Sequence, residues 1–298
     1  MELPVKNPLL MMALVVLPWM STGGMASATP PDSPRVAAER FEALADEHRQ
    51  LPIDELRRSL DPEFVSLIEG FSRDLDSLSD DEVRVYKSAA FTAAFYTKRP
   101  RYLYPQVAAF EVLEGRAAVI EDDVRNLQRG YVLARDFEQA DALQRRYPSP
   151  GLQVIPTMEA AETGSTPNAL ILTPDRTLKP VEVDLASGDR LVALVHPHCA
   201  FSRQAMVDLT SDREAGLPWE TLWVIPFAPN LAADAIHEWQ QAHPDVRFHI
   251  PSRFDDWSFL QQGEHPVFYR INDGKAVGRV VGWPADGNLA ALHQLFER

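Results

Sequence analysis

Cysteine is the scarcest residue of this chain: Cys199 is the only one in 298 positions. No internal disulfide can form, which excludes the small stapled folds that rely on such cross-links. Positive charge is scarce too, with 29 Lys and Arg against 43 Asp and Glu and a formal net charge of −14. Nucleic-acid binding is dominated by Lys and Arg against phosphate. No basic run offsets the deficit, so neither nucleic acid nor an anionic membrane surface is expected as a partner. Past the first 28 residues, no apolar run approaches the roughly 20 residues needed to span a bilayer. A glycine-rich phosphate loop, a Ser/His/Asp elbow and paired glycosidase carboxylates are missing as well, and no cofactor is expected.

Apolar residues are plentiful. They make up 45% of the chain, enough for a substantial core, and the length suggests about two domains. Residues 1–28 read as a secretion signal: Lys6 supplies a positive start, residues 9–20 an apolar stretch, and Ala26-Ser27-Ala28 a small-x-small cleavage pattern. The mature chain is expected to begin near Thr29, soluble and exported, without a stable membrane span. In an oxidising compartment a lone thiol is a reactive group, a metal ligand, an intermolecular partner or an incidental buried residue. The position of Cys199 has to decide.

Residues 34–147 are helical in style. Ser33-Pro34 sets an N-cap with proline in the first turn, ahead of Phe41 and Leu44. Asp61-Pro62 is expected to open a further helix carrying Phe64, Leu67, Ile68 and Phe71. Ser79 with Glu82 makes a capping box before Val83, Tyr86, Ala90 and Ala94. Val124, Leu127 and Tyr131, then Phe137, Ala140 and Leu143, read as facing sides of an antiparallel helix pair. Residues 130–137 faintly resemble a tetratricopeptide helix, but no second copy follows at that repeat's period of roughly 34 residues. A small irregular all-α domain is expected instead.

Pro148-Ser149-Pro150-Gly151 opens a linker over 148–167. From 168 to 298 the texture alternates. Strands are expected at 169–172, 181–183, 191–195, 221–225, 246–250, 267–269 and 276–281. Helices are expected from Cys199, over 231–241 and from Asn288. Such alternation predicts an α/β layer structure.

The apolar run 191–195 reads as a buried central strand. It stops at His196-Pro197-His198, and Cys199 opens the next helix, with Phe201, Met206 and Leu209 as apolar contacts. A thiol in the first turn meets the positive end of the helix dipole and unpaired N–H groups, both of which favour the thiolate. Cys199 is therefore expected to be a reactive nucleophile, with His198 as an adjacent imidazole that stabilises its anion. His196 is the strand cap or a further neighbour of the thiol. His196, His198 and Cys199 also form a weak candidate set for copper or zinc, but three adjacent residues wrap one metal poorly and no second cluster completes the shell.

A strand, Cys199-Ala200-Phe201-Ser202, a helix, and later Gly263-Glu264-His265-Pro266-Val267-Phe268 followed by residues 272–279 together resemble the thioredoxin superfamily. The similarity covers 168–298 and is strongest to the exported, redoxin-like branch, which inserts a strand and helix before the proline strand. It implies an α/β thioredoxin-like domain after the all-α one, a periplasmic Gram-negative setting, and a cis-proline at Pro266 facing Cys199. His265 and Pro266, with Phe201 and Ser202, would then line the groove for a partner. Two positions depart from the family: Ser202 stands where the second cysteine belongs, and His198 where a tryptophan usually precedes the first. His196 stands where the peroxiredoxin pattern has threonine, which disfavours a peroxidase. Without a second thiol, resolution of a mixed disulfide must come from outside. The implied function is monothiol thiol–disulfide exchange with protein thiols or glutathione. The alternatives are a non-catalytic binding or assembly module and a copper- or zinc-handling protein.

Overall fold

The computed structural model describes residues 33–211, 221–260 and 265–297, all within one compact unit. The expected signal and the Gly263-Glu264 part of the proline motif lie outside them. An all-helical region is followed by a mixed seven-stranded sheet with helices.

The helical region holds α1 (Pro34–Glu47), α2 (Ile53–Leu67), a 3-10 segment (Glu69–Ser77), α3 (Asp80–Thr97), α4 (Leu103–Gly115), α5 (Glu121–Ala134) and α6 (Phe137–Arg146). Ser33 caps α1 by accepting from Val36 N, and Pro34 fills the first turn, where its missing N–H costs nothing. Ser79 and Glu82 cap α3 reciprocally. The buried face of α3 is rich in alanine, with Ala89, Ala90, Ala93 and Ala94 alongside Val83 and Tyr86, and this lets α1, α2 and α4 approach closely.

One expected boundary is corrected. Pro62 does not open a helix; it sits inside α2, which begins at Ile53. Proline there forfeits a backbone bond and strains the turn before it. Leu56, Leu60, Phe64 and Ile68, a stripe at four-residue spacing, are all buried, and that burial outweighs the loss.

The sheet contains β1 (Ala169–Leu172), β2 (Leu178–Val181), β3 (Asp189–Leu194), β4 (Thr221–Val224), β5 (Phe248–Pro251), β6 (Val267–Asn272) and β7 (Lys275–Val281), in the order β2-β1-β5-β4-β3-β6-β7. Helices α7 (Ala200–Ser211) and α8 (Ala233–Ala242) connect the parallel strands β3, β4 and β5, and α9 (Leu289–Glu297) closes the described chain. The strand expected at 181–183 lies earlier, at β2. A tight turn bonded between Thr173 and Thr177 sets that register, and Pro180 is tolerated because β2 is an edge strand.

One core joins the two regions. Val132, Phe137 and Ala140 of the α5–α6 pair pack with Leu170, Leu172, Phe248 and Ile250 of the sheet. The stretch 148–167 is tied down between them. Leu152 and Ile155 are buried, and Gln153 is bracketed by Gln128 on one side and by Pro229 O and Leu231 N on the other.

Candidate functional site

The ends of two neighbouring strands create the site. β3 runs antiparallel to β6, and the register places Leu194 opposite Val267. The chain leaving β3 and the chain about to enter β6 therefore emerge side by side. Residues 195–199 follow the first exit, and His265-Pro266 precede the second.

Cys199 occupies the N-cap of α7. Its N–H closes a turn onto His196 O at 2.9 Å, and its carbonyl accepts from Arg203 N at 2.9 Å. The thiol is half-buried, and Sγ donates to the carbonyl of His265 at 3.5 Å. The His265–Pro266 peptide bond is cis. Pro266 is buried, and its carbonyl accepts from Gly282 N at 2.8 Å; φ is +82° at Gly282, a conformation that glycine adopts without a Cβ clash.

The other residues singled out in the sequence divide into two groups. Ser202 is fully buried, and its hydroxyl accepts from His196 N at 3.1 Å, so it anchors the strand exit rather than facing a groove. Phe201 does not join Met206 and Leu209 in the core. It is 61% exposed on the outer side of the first turn, an apolar surface beside the thiol. His198 is exposed, its N–H donates to His196 Nδ1 at 3.2 Å, and the two rings lie 5.6 Å apart. Among the described residues, no three His, Cys, Asp or Glu side chains gather in a way that could hold a metal ion. The candidate set of His196, His198 and Cys199 is thus not assembled.

His196 and His265 stack at 6.5 Å, and both favour the neutral imidazole. Burial, and then His198, lowers the pKa of His196. Burial, followed by His196 and Lys98, pushes His265 down to about 4.

Lys98 was not legible in the sequence as a site residue. It is the C-cap of α3, held at φ 53°, and is 6% exposed. Its Nζ donates to Phe227 O at 3.0 Å and lies 4.3 Å from the centre of the Phe95 ring. Burial, with Arg135 close by, lowers its pKa to about 7. Arg135, the C-cap of α5, donates to Pro251 O, Pro226 O and Val132 O. Burial lowers it to about 9, so it stays a cation at neutral pH. Lys98, His196 and His265 line one cavity of about 230 Å³ between the helical region and the strand ends, with Phe95, Phe227 and Phe254 among its walls.

No protein-family model, no curated protein and no solved structure matches this chain.

Proposed function

We propose that the chain carries a thioredoxin-like domain in which Cys199 performs monothiol thiol–disulfide exchange. The observation that carries this reading is the thiol at the N-cap of α7, partly open to solvent and 3.5 Å from the His265 carbonyl beside Pro266. The order of β3, α7 and β4, followed by the antiparallel pair β6–β7 with Pro266 at its start, supports the resemblance drawn from the residues. The signal-like leader supports an exported, periplasmic setting, where disulfides persist.

The chemistry balances without a cofactor. The Cys199 thiolate attacks one sulfur of a partner disulfide; a new S–S bond to Cys199 forms, and the other partner sulfur leaves as a thiolate and takes a proton. An external thiol, on glutathione or a protein, then attacks the Cys199 sulfur of the mixed disulfide, and the remaining partner sulfur leaves as a thiolate and takes a proton. Another external thiol attacks the external sulfur now bonded to Cys199, releases the Cys199 thiolate and leaves the two external sulfurs joined as a disulfide. The partner disulfide is reduced and the external thiols are oxidised. Phe201 offers apolar contact for the incoming chain. The His265 carbonyl, whose lone pairs are not all used by the thiol, offers it a backbone acceptor.

Glutathione disulfide tests the reading. On the native protein, mass spectrometry is expected to show one glutathione per chain, added faster than to the urea-unfolded chain and not at all in Cys199→Ser. A native thiol that reacts more slowly than the unfolded one would overturn the proposal and favour the non-catalytic binding module. A second prediction concerns Ser202, three residues on along the same helix. Ser202→Cys supplies an internal resolving thiol, so the glutathione adduct is expected to be at least about tenfold less populated, replaced by a 199–202 disulfide. Equal adduct levels in both proteins would show that position 202 cannot reach the thiol.

A further inference from the structure

The cavity beside the thiol is charged in an unusual way for a chain with a net charge of −14. Lys98, His196 and His265 line it, Arg135 stands behind Lys98, and among the described residues no acidic side chain forms its wall. Arg135 is satisfied by three backbone carbonyls and no carboxylate. Arg57, on α2, is bound to Thr97 O and to Asp255, which takes the nearby acidic side chain away from Lys98. A buried ammonium without an anionic partner is costly. The Lys98 ammonium has three donors, and one is used, on Phe227 O. An anion on the cavity side of Lys98 would engage the donors left over.

The rest of the wall narrows the class of ligand. Phe95, Phe227, Phe254, Leu194 and Leu260 are apolar. The volume of 230 Å³ corresponds to about eight water-sized groups, smaller than the space a drug-sized molecule fills. A phosphate dianion needs donors on most of its oxygens, and aromatic walls do not supply them. A carboxylate on a short apolar body matches both halves of the cavity.

We infer that this cavity binds a small organic monocarboxylate, with its anionic end at Lys98 and its apolar body among Phe95, Phe227 and Phe254. The site is independent of sulfur chemistry at Cys199, although His196 and His265 belong to both. Because Lys98 titrates near pH 7, binding is tied to its protonation. The sign follows: the carboxylate favours the ammonium form, so affinity falls as pH rises through 7 and proton uptake accompanies binding. His265, lowered to about 4, is neutral over that range, and burial shifts His196 in the same direction.

Benzoate is a suitable probe, with benzamide as its uncharged counterpart and inorganic phosphate as the competing anion class. Calorimetry on the full chain at pH 6.5 is expected to give one saturable benzoate site, with benzamide and phosphate each at least tenfold weaker. Affinity should fall several-fold between pH 6.5 and 8.5. Lys98→Met should weaken benzoate at least tenfold. Ala228→Leu, which fills the cavity from its wall and leaves every basic group in place, should do the same; it keeps the test decisive if Lys98→Met folds poorly. Cys199→Ser should bind as the parent does, which separates this site from the proposed exchange reaction. Equal binding of benzoate and benzamide, tighter binding of phosphate, unchanged affinity in Ala228→Leu, loss of binding in Cys199→Ser, or no saturable benzoate binding would each overturn the assignment.

Discussion

Asp123→Ala is expected to destabilise the protein by about 3–5 kcal/mol, the cost of removing one partner from a buried ion pair. Asp123 is 2% exposed and Lys87 3% exposed. The two are hydrogen-bonded, and Arg84 Nε reaches the same carboxylate at 3.1 Å. Asp123 also accepts from Ile120 N at 3.2 Å, which satisfies an orphan donor at the start of α5. Burial opposes ionisation of Asp123, but Lys87, the Ile120 amide and Arg84 together hold its pKa below the ordinary carboxylate range. Burial lowers Lys87, and Asp123 is the main group opposing that shift. Alanine at 123 therefore leaves an ammonium inside the helical region without its hydrogen-bonded counter-charge, Asp122 acting on it only at longer range. At roughly 2–4 °C per kcal/mol for a chain of this size, the melting temperature should drop by roughly 6–20 °C. The double variant Lys87→Met/Asp123→Leu removes both charges and should recover most of that loss. A loss under 1 kcal/mol in Asp123→Ala, or a double variant no more stable than the single, would show that the pair is not what holds α3 to α5.

How far the sequence can be read depends on whether its signals are local. Ser33-Pro34 and the Ser79–Glu82 box mark the starts of α1 and α3 because caps are written within four residues. The strand expected at 169–172 has the bounds of β1, since a short apolar run between turn residues has few alternatives. The all-helical region ahead of an α/β region was readable for the same reason. Pro62 misled because proline is a strong local breaker, whereas the buried stripe that overrides it depends on partners elsewhere in the bundle.

The α4 helix went unread. Its hydrophobic residues are spread around the helix, with Ala109, Phe110 and Leu113 all buried, so no one-sided pattern announces it. The candidate site divides along the same line. Cys199 stood out by rarity and by its place after an apolar strand. Its closeness to His265 depends on the pairing of Leu194 with Val267, 73 positions later. Lys98 carried no signal at all: lysine at a helix end ordinarily points to solvent and favours the dipole. Only the packing of α3 against the loop after β4 turns it inward, onto Phe227 O.

That inward turn gives the chain an expected pH signature, which Lys98→Met should erase. In the folded protein Lys98 gives up its proton at about pH 7; its ordinary value is 10.5. Between those values the unfolded chain holds a proton that the folded one does not, so stability rises with pH, by up to about 1.4 kcal/mol per unit. Below pH 7 both states are protonated and the contribution is flat at its least favourable level. Methionine has no such step. Relative to the parent, Lys98→Met should therefore be most stable at pH 7 and below, and lose that advantage steadily towards pH 10. The lost hydrogen bond to Phe227 O and the contact with Phe95 offset the comparison by a constant, so the slope is the readout.

His265 acts in a separate window. Its folded pKa of about 4 lies under the ordinary 6.5, so its contribution is full above pH 6.5 and is lost as pH falls towards 4. His265→Gln should flatten only that acid limb, where His196 pulls in the same direction. Arg135, with a pKa lowered to about 9, stays charged through the acid limb and the lower part of the Lys98 window. Its own rise above about pH 9 is common to the parent and Lys98→Met and cancels in their comparison. Urea midpoints at pH 5, 7 and 9 for the parent and both variants resolve the two limbs. Parallel profiles for parent and Lys98→Met would mean that the ammonium is solvated in the folded state. A bound carboxylate raises the Lys98 pKa by favouring the ammonium, so saturating benzoate should shrink the rise above pH 7 in the parent and leave Lys98→Met unchanged.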